Sequence, residues 1–189
     1  MKRKIKFPGG IYVGTTKLLV TKIPHGRGRI EFTNGDVYEG QWVNGKRQGK
    51  GKYWSAQGEI YEGEWAENQR NGRGKLLFPD GGFYEGEWKD GYFHGNGTVT
   101  KSDGTVIYGT FFRNNYNGPC EMHLPSGRIY RGPLSGNSPR GFGYLEDSDG
   151  TIMEGEWESC KIAKNVILTT PEGEKIYGKV EDGKFIPER

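Results

Sequence analysis

The sequence predicts an all-β protein: an elongated, twisted, single-layer antiparallel meander of stacked β-hairpins. Three observations carry that reading. Glycines recur at a spacing of 23, in one column at Gly35, Gly58, Gly81, Gly104, Gly127, Gly150 and Gly173 and in a second at Gly40, Gly63, Gly86, Gly109, Gly132, Gly155 and Gly178. A fixed period of that length marks a stacked-repeat architecture. Each period holds two short apolar-rich runs around turn residues, the signature of a hairpin. No stretch carries a helical period long enough to form a helix.

Residues 71–93 show what one repeat does. Runs at 75–78 and 82–88 flank the turn residues Pro79-Asp80-Gly81. A two-residue loop sets Leu76 opposite Glu85. A three-residue loop, with Gly81 in the left-handed conformation, sets Leu76 opposite Tyr84 and Lys75 opposite Glu85. Only the second register matches apolar with apolar and charge with opposite charge across the set. It predicts the pairs Arg29–Glu39, Lys52–Glu62 and Lys75–Glu85, and in the fifth repeat both signs exchange, Glu121 facing Arg131. Cross-strand pairs are worth ~0.2–1 kcal/mol each, so they fix register more than stability. Face A then carries Leu76, Phe78, Tyr84 and Trp88, with Gly74 opposite Gly86. Face B carries the Lys75–Glu85 and Arg73–Glu87 pairs and Leu77 opposite Phe83. Paired glycines let aromatic rings lie on backbone and let the sheet bend. One hairpin cannot bury such a face, so hairpins must stack. About sixteen short strands are expected.

In chain order, residues 1–24 are a partial, capping repeat: Gly9-Gly10-Ile11-Tyr12-Val13-Gly14 keeps the pattern G-x-x-Y-x-G, with Thr16 in place of Trp. Repeats one to six fill 25–163, and the first three (25–47, 48–70, 71–93) are close copies. The columns drift from residue 94. Ile107 and Phe111 stand for Tyr and Trp in repeat four, Cys120 and Leu134 for Gly and Trp in repeat five, and Met153 for Tyr in repeat six. Residues 164–189 form a degenerate seventh repeat and C-terminal cap. Lys164 and Val166 replace its glycine pair, and Ile176 and Val180 fall on face A. Atypical terminal repeats are what capping requires.

Pooled composition, with 33 Gly and 32% hydrophobic residues, would suggest a loose chain; the period places those glycines at fixed turn and packing positions. Two cysteines suit a reducing compartment and argue against a disulfide-stapled scaffold. No apolar run approaches the ~20 residues of a membrane-spanning helix. The start, Met-Lys-Arg-Lys-Ile-Lys, lacks the apolar stretch of a signal peptide and the glycine that N-myristoylation needs. A cytoplasmic protein is expected. Charge is uneven: residues 1–52 hold 12 Lys/Arg against 3 Asp/Glu, and the remainder 15 against 21, which together give the net +3. The basic end has two readings: contact with an anionic partner, or lysines that keep an edge strand from pairing.

The run Y-x-G-x-W, preceded by G-x-x and followed by a G-x-G pair at the 23-residue period, resembles the MORN repeat. The match is strongest in residues 35–42, 58–65 and 81–88 and extends over roughly 1–186. The resemblance implies a sheet of consecutive hairpins with a scaffolding role in cytoskeletal, ciliary or membrane-associated assemblies. It also implies three binding modes: a partner peptide or helix held in an apolar groove, anionic phospholipid, or a homodimer formed end to end. Some members carry these repeats ahead of lipid-kinase or lysine-methyltransferase domains, so a targeting module is a further reading.

Candidate sites follow. Gly95-Asn96-Gly97 and Gly49-Lys50-Gly51-Lys52 complete no phosphate-loop spacing and open no helix. Cys120 and His123, three apart on a strand, point to opposite faces and cannot act as nucleophile and base. Cys160 sits at a turn position, and His25 and His94 fall at equivalent points of different repeats, so no metal site is expected. Asn96-Gly97-Thr98 matches a glycosylation sequon, relevant only in a secreted protein. The chain is thus expected to be no enzyme and to hold no cofactor, metal or nucleic acid. The expected partner site is face A over the central repeats: Tyr84, Trp88, Phe93, Ile107, Phe111, Tyr116, Tyr130 and Leu134. Bulky Tyr92, Phe93 and Tyr116 stand where early repeats have Lys46, Arg47 or Gln69, and Phe142 is bulky as well. They either line an open groove or fold over it. The expected anionic-surface site is Lys2, Arg3, Lys4 and Lys6, near enough for ~1 kcal/mol each at an anionic surface.

Overall fold

The structure is a computed structural model that describes residues 3–16, 22–136, 138–159, 161–181 and 184–188, with 163 and 164 described by backbone alone. Lys2, Asn137 and Cys160 lie outside the described residues. All regular structure among them is β-strand. The chain divides into two compact units, Met1–Gly95 and Asn96–Arg189. Unit 1 contains β1 (Arg3–Phe7), β2 (Gly10–Thr16), β3 (Pro24–Phe32), β4 (Val37–Val43), β5 (Lys46–Trp54), β6 (Ile60–Ala66), β7 (Gln69–Leu77) and β8 (Phe83–Lys89). The division falls within β9 (Tyr92–Thr100). Unit 2 contains β10 (Val106–Phe112), β11 (Asn115–Tyr116), β12 (Pro119–His123), β13 (Ile129–Ser135), β14 (Ser138–Pro139), β15 (Gly141–Glu146), β16 (Ile152–Glu158), β17 (Lys161–Thr169), β18 (Lys175–Glu181) and β19 (Lys184–Pro187). These nineteen exceed the expected sixteen partly because the two-residue β11 and β14 stand apart from β12 and β15. Within each unit, strands pair antiparallel with their neighbours in sequence, a hairpin meander.

Two kinds of turn alternate. The first is the expected three-residue loop: Leu76 faces Tyr84 and Lys75 faces Glu85. The Phe78 N–H donates to the Gly82 carbonyl at 2.8 Å and the Gly81 N–H to the Phe78 carbonyl at 3.1 Å, with Gly81 at φ 91°. The second joins one repeat to the next through two residues with positive φ, such as Asn44 (50°) and Gly45 (82°) between the paired Val43 and Lys46. That is the twist a tight hairpin favours.

The second turn feeds a bulge. Gly40 pairs with Gly51 and Trp42 with Arg47, so one residue on β4 faces three on β5. The Gln41 side-chain oxygen accepts the Lys50 N–H at 3.0 Å. In the next repeat Glu64 accepts the Arg73 N–H at 3.2 Å. The two glycines of each G-x-G pair therefore differ. Gly49 is left-handed inside the bulge, at φ 67°, whereas Gly51 leaves room for a ring: a Cβ there would come within 2.4 Å of the Tyr38 hydroxyl.

Face A of unit 1 is a ladder of alternating Tyr and Trp rings. Trp65 meets Tyr38 at 5.1 Å and Tyr61 at 5.2 Å, both edge to face, and Trp88 meets Tyr61 and Tyr84 in the same way. Such pairs add ~0.5–1.5 kcal/mol each beyond burial. Every polar tip is satisfied: Tyr61 and Tyr84 donate to the carbonyls of Glu64 and Glu87 at 2.9 and 2.7 Å. Trp65 and Trp88 donate to the carbonyls of Gly51 and Gly74 at 3.2 and 3.1 Å.

Unit 2 has its own core of Ile107, Cys120, Met122, Tyr130, Trp157, Ile162 and Val166. The drifted positions compensate one another there. Ile107, opposite Met122, is shorter than tyrosine, and Cys120 stands in the column of Gly74, over which the tyrosine ring of unit 1 lies; a Cβ on Gly109 would come within 2.8 Å of the Cys120 sulfur. Met153 and Val166 make the same exchange one full hairpin pair later.

Candidate functional site

Face A is closed. Tyr84, Ile107 and Tyr130 are at most 1% exposed, and Trp88 and Phe111 are buried as well. One repeat position supplies the cover. Arg47 lies 4.3 Å over the Trp65 ring, and Arg70 5.1 Å over Tyr61 and 5.2 Å over Trp88. At the same position in the next repeats, Phe93 stacks on Tyr84 at 3.8 Å and Tyr116 tilts against Phe111 at 4.8 Å. Leu134 packs on the unit 2 core. Of the two readings of the bulky residues, Phe93 and Tyr116 thus fold over the face, while Tyr92 and Phe142 stay exposed. Burial pushes the Tyr116 phenol up to about 12 and the Cys120 thiol up to about 11, which leaves the latter a packing group. Cys120 and His123 lie on opposite faces: Cys120 is buried against Gly109, and His123 bonds Glu121 on the other side. Among the described residues no group of three or more His, Cys, Asp or Glu is placed to hold a metal ion.

The basic N-terminal set is divided. Lys4 and Lys6 share face B, in register with Val13 and Ile11, whereas Arg3 alternates to the opposite face beside Ile5. Lys2 lies outside the described residues.

Face B separates the two units. In unit 1 a row of alternating charge crosses the strands in register: Arg29, Glu39, Lys52, Glu62, Lys75, Glu85. Lys52 bridges Glu62 at 2.9 Å and Lys75 bridges Glu85 at 3.2 Å. Arg29 departs from expectation: it faces Glu39 in register but bridges Glu31, two residues along its own strand, at 3.1 Å. The lysine stems also cover apolar neighbours, with the Lys75 nitrogen 3.7 Å above the Phe83 ring.

The same row in unit 2 reads Tyr108, Glu121, Arg131, Tyr144, Glu154, Ile167, Tyr177. Tyr108 is 47% exposed, Tyr144 42%, and Phe142, two residues from Tyr144 on the same face, 46%. Pro119 and Pro133 pair beside them. Between the aromatics runs a polar chain. His123 Nε2 lies 2.6 Å from Glu121, Glu121 accepts from Arg131 at 2.9 Å, and Arg131 donates to Glu146 at 2.6 Å. The His123 hydrogen bond, then that of Arg131, holds the Glu121 carboxyl below the usual carboxylate range. Tyr108 packs edge-on to His123 at 5.3 Å and Phe142 edge-on to Tyr144 at 5.5 Å. Tyr108 and the Phe142–Tyr144 pair thus form exposed aromatic platforms about 14 Å apart, three strand spacings, braced by ion pairs, and Tyr177 further along the row is 59% exposed. The sequence signal for Tyr108 and Tyr144 was present: each breaks a column of alternating charge.

Comparison with known proteins bears on this geometry. Residues 22–37, 38–60, 61–83 and 84–106 each match the MORN repeat, and this stretch is a run of MORN repeats. Solved structures extend the likeness of fold over the chain. The G-box domain of the microcephaly protein CPAP matches with a TM-score of 0.61 and 18% identity, over 100% of this chain and 99% of that one. The TCP domain of SAS-4 (dCPAP) of Drosophila melanogaster, in complex with a proline-rich motif of Ana2, matches with a TM-score of 0.53 and 16% identity, over 95% and 90%. No curated protein matches the sequence.

Proposed function

We propose that this protein is a non-catalytic scaffold that binds an extended segment of a partner protein on face B of unit 2, through Tyr108, Phe142 and Tyr144. One observation carries the reading: three large aromatics stand exposed where the template places Lys75, Arg73 and Glu85, each in register with an opposite charge. Nothing in the packing of a hairpin calls for them. Exposed aromatics with fixed spacing favour a polyproline-type segment, whose backbone is already extended and loses little entropy on docking. A proline-rich motif bound to a domain of similar fold, in SAS-4, supports that class of partner. A centriolar, cytoskeletal setting agrees with the CPAP G-box domain, to which a role in centriole elongation is ascribed. A panel of fluorescent proline-rich peptides titrated by polarisation tests the reading. A binder should lose at least about tenfold in affinity, or 1.4 kcal/mol, in the variant Phe142→Ala with Tyr144→Ala, while the melting temperature stays near wild type. A panel without binders, or binders indifferent to both substitutions, overturns it.

A second reading has its own observation. Ile11 and Val13 are exposed on β2 directly beside Lys6 and Lys4, so aliphatic and basic groups together suit an anionic phospholipid surface. Sedimentation with phosphatidylserine vesicles should weaken on Lys4→Glu with Lys6→Glu and at higher salt; unchanged sedimentation removes this reading.

A further inference from the structure

The tyrosines of the face B row in unit 2 fall at one interval. Glu121 and Arg131 separate Tyr108 from Tyr144, and Glu154 and Ile167 separate Tyr144 from Tyr177, so each step is three strands. The three rings are 47%, 42% and 59% exposed. The row in unit 1 is charged at every position from Arg29 to Glu85. Each step of three strand spacings is about 14 Å, and the row from Tyr108 to Tyr177 is about 29 Å long. Between the rings the charges are answered within the chain. Arg131 bridges Glu121 at 2.9 Å and Glu146 at 2.6 Å, and Lys175 bridges Glu154 at 3.9 Å.

We propose that Tyr177 is a third anchor of the partner site, and that one uncharged, proline-rich segment lies across the strands from Tyr108 to Tyr177. This inference rests on the peptide-binding reading above and adds to it an anchor and a length. A polyproline II chain rises about 3.1 Å per residue, so each step takes roughly four to five residues and the whole row about nine to ten. A floor whose charges are already paired suits an uncharged segment. A chain crossing a sheet face also meets backbone groups that are committed to the strand ladder. Proline, with no N–H to satisfy, crosses such a face at least cost. Each tyrosine offers a flat ring to a pyrrolidine and a phenol that donates to the carbonyls of the same chain. Because the segment is stiff, it reaches all three rings without a large loss of entropy, and the contacts act as linked sites.

The test uses the full chain and labelled oligoprolines of about five and about ten residues, with a Gly-Ser peptide of the longer length, measured by polarisation. The shorter oligoproline reaches two neighbouring rings and the longer one all three. The longer should bind at least about tenfold more tightly than the shorter. Tyr177→Ala should erase that advantage, leave the shorter peptide within about twofold of its wild-type affinity, and leave the melting temperature near wild type. If the two lengths bind alike, or the advantage of length survives Tyr177→Ala, while Phe142→Ala with Tyr144→Ala abolishes both, the third anchor falls and the peptide-binding reading stands. A Tyr177→Ala chain that melts several degrees lower places the ring in the packing and also overturns the anchor. If the Gly-Ser peptide binds as tightly as the long oligoproline, the proline-rich segment falls with it. If no peptide binds, the anchor and the peptide-binding reading fall together.

Discussion

The two units solve one packing problem by different means. In unit 1 a tyrosine ring lies across two glycines, Tyr61 over Gly63 and Gly74, and the tryptophan of the next repeat closes the layer. In unit 2 the ring is shortened to Ile107 and the second glycine gains a side chain, Cys120, so the volume is shared rather than supplied by one residue. Face A tolerates this because a core demands volume and satisfied polar tips more than particular residues. Face B has no layer above it to fill, and its charged pairs serve mainly to fix register. Exchanging those pairs for aromatics therefore costs the fold little and leaves apolar surface exposed. Face A variation between the units is thus compensated packing, whereas the face B variation leaves large rings exposed among the described residues and is the better mark of a site.

The largest effect should come from forcing a side chain into the unit 1 solution. A Cβ at Gly74 would lie 2.4 Å from the Tyr61 hydroxyl and 2.6 Å from its ring, and the ring is held by Trp65, Trp88 and Arg70. Gly74→Ala should cost about 2–3 kcal/mol, a fall of roughly 5–10 °C in melting temperature. Cys120→Ala, in the same column of unit 2, should cost only about 1 kcal/mol, because it removes atoms instead of adding them. Equal losses in thermal or urea melts would mean that the two units do not pack differently.

The second effect sharpens the idea of exchange. Ile107→Tyr alone drives a ring into the space of the Cys120 sulfur and should cost about 2 kcal/mol. Adding Cys120→Gly restores the unit 1 arrangement and should recover most of the loss. A double-mutant cycle with coupling above ~1 kcal/mol supports compensation; additivity would refute it.

Much of this was legible in the sequence, and the exceptions have physical causes. The period, the three-residue loops, the cross-strand register and the bridges Lys52–Glu62, Lys75–Glu85 and Glu121–Arg131 follow from local pattern, because register is set by nearest neighbours. The cover of face A was not legible. Arg47 and Arg70 each lie over aromatic rings contributed from different repeats, a contact no strand pattern encodes. The pairing of Arg29 with Glu31 escaped because a long side chain can swing along its strand as readily as across it. The exposed aromatics of face B have a different cause: Tyr144 is gained in a column of charge rather than lost from a column of rings, and Phe142, bulky in the sequence, is placed beside Tyr144 only by the register.

A smaller effect separates the units by pH. The Asp36 carboxylate is buried and accepts from Tyr53, from the Ala56 N–H at 2.9 Å and from Asn34 at 2.7 Å. The Tyr53 hydrogen bond, ahead of the others, holds its pKa below the usual value. A depressed carboxyl stabilises the fold above its unfolded pKa and loses that stabilisation as pH falls through the folded one. Four repeats on, the same two positions are Arg128 and Leu145, so unit 2 has no such bond there. Tyr53→Phe should cost about 1 kcal/mol at neutral pH, and the gap from wild type should close as the carboxyl protonates. A gap that persists unchanged at pH 2–3 would show that lost packing, not the hydrogen bond, is responsible.

The smallest effect on stability should come from the change that converts the unit 2 surface back to the unit 1 pattern. Tyr144→Lys places an ammonium opposite Glu154 in the register that Lys75 and Glu85 already use. It removes an exposed ring that packs only edge-on to Phe142 and adds an exposed ion pair. Exposed pairs are worth ~0–1 kcal/mol, so the melting temperature should move by no more than about 1–2 °C. Peptide binding should respond in the opposite proportion, because the aromatic platform is gone. The same substitution therefore weighs the two explanations of Tyr144 directly. If it leaves binding of a proline-rich peptide intact, the exposed ring is only a tolerated departure from the repeat. If it destabilises the chain by several kilocalories, the ring belongs to the packing. Loss of binding without loss of stability is the outcome expected of a surface whose aromatics serve a partner.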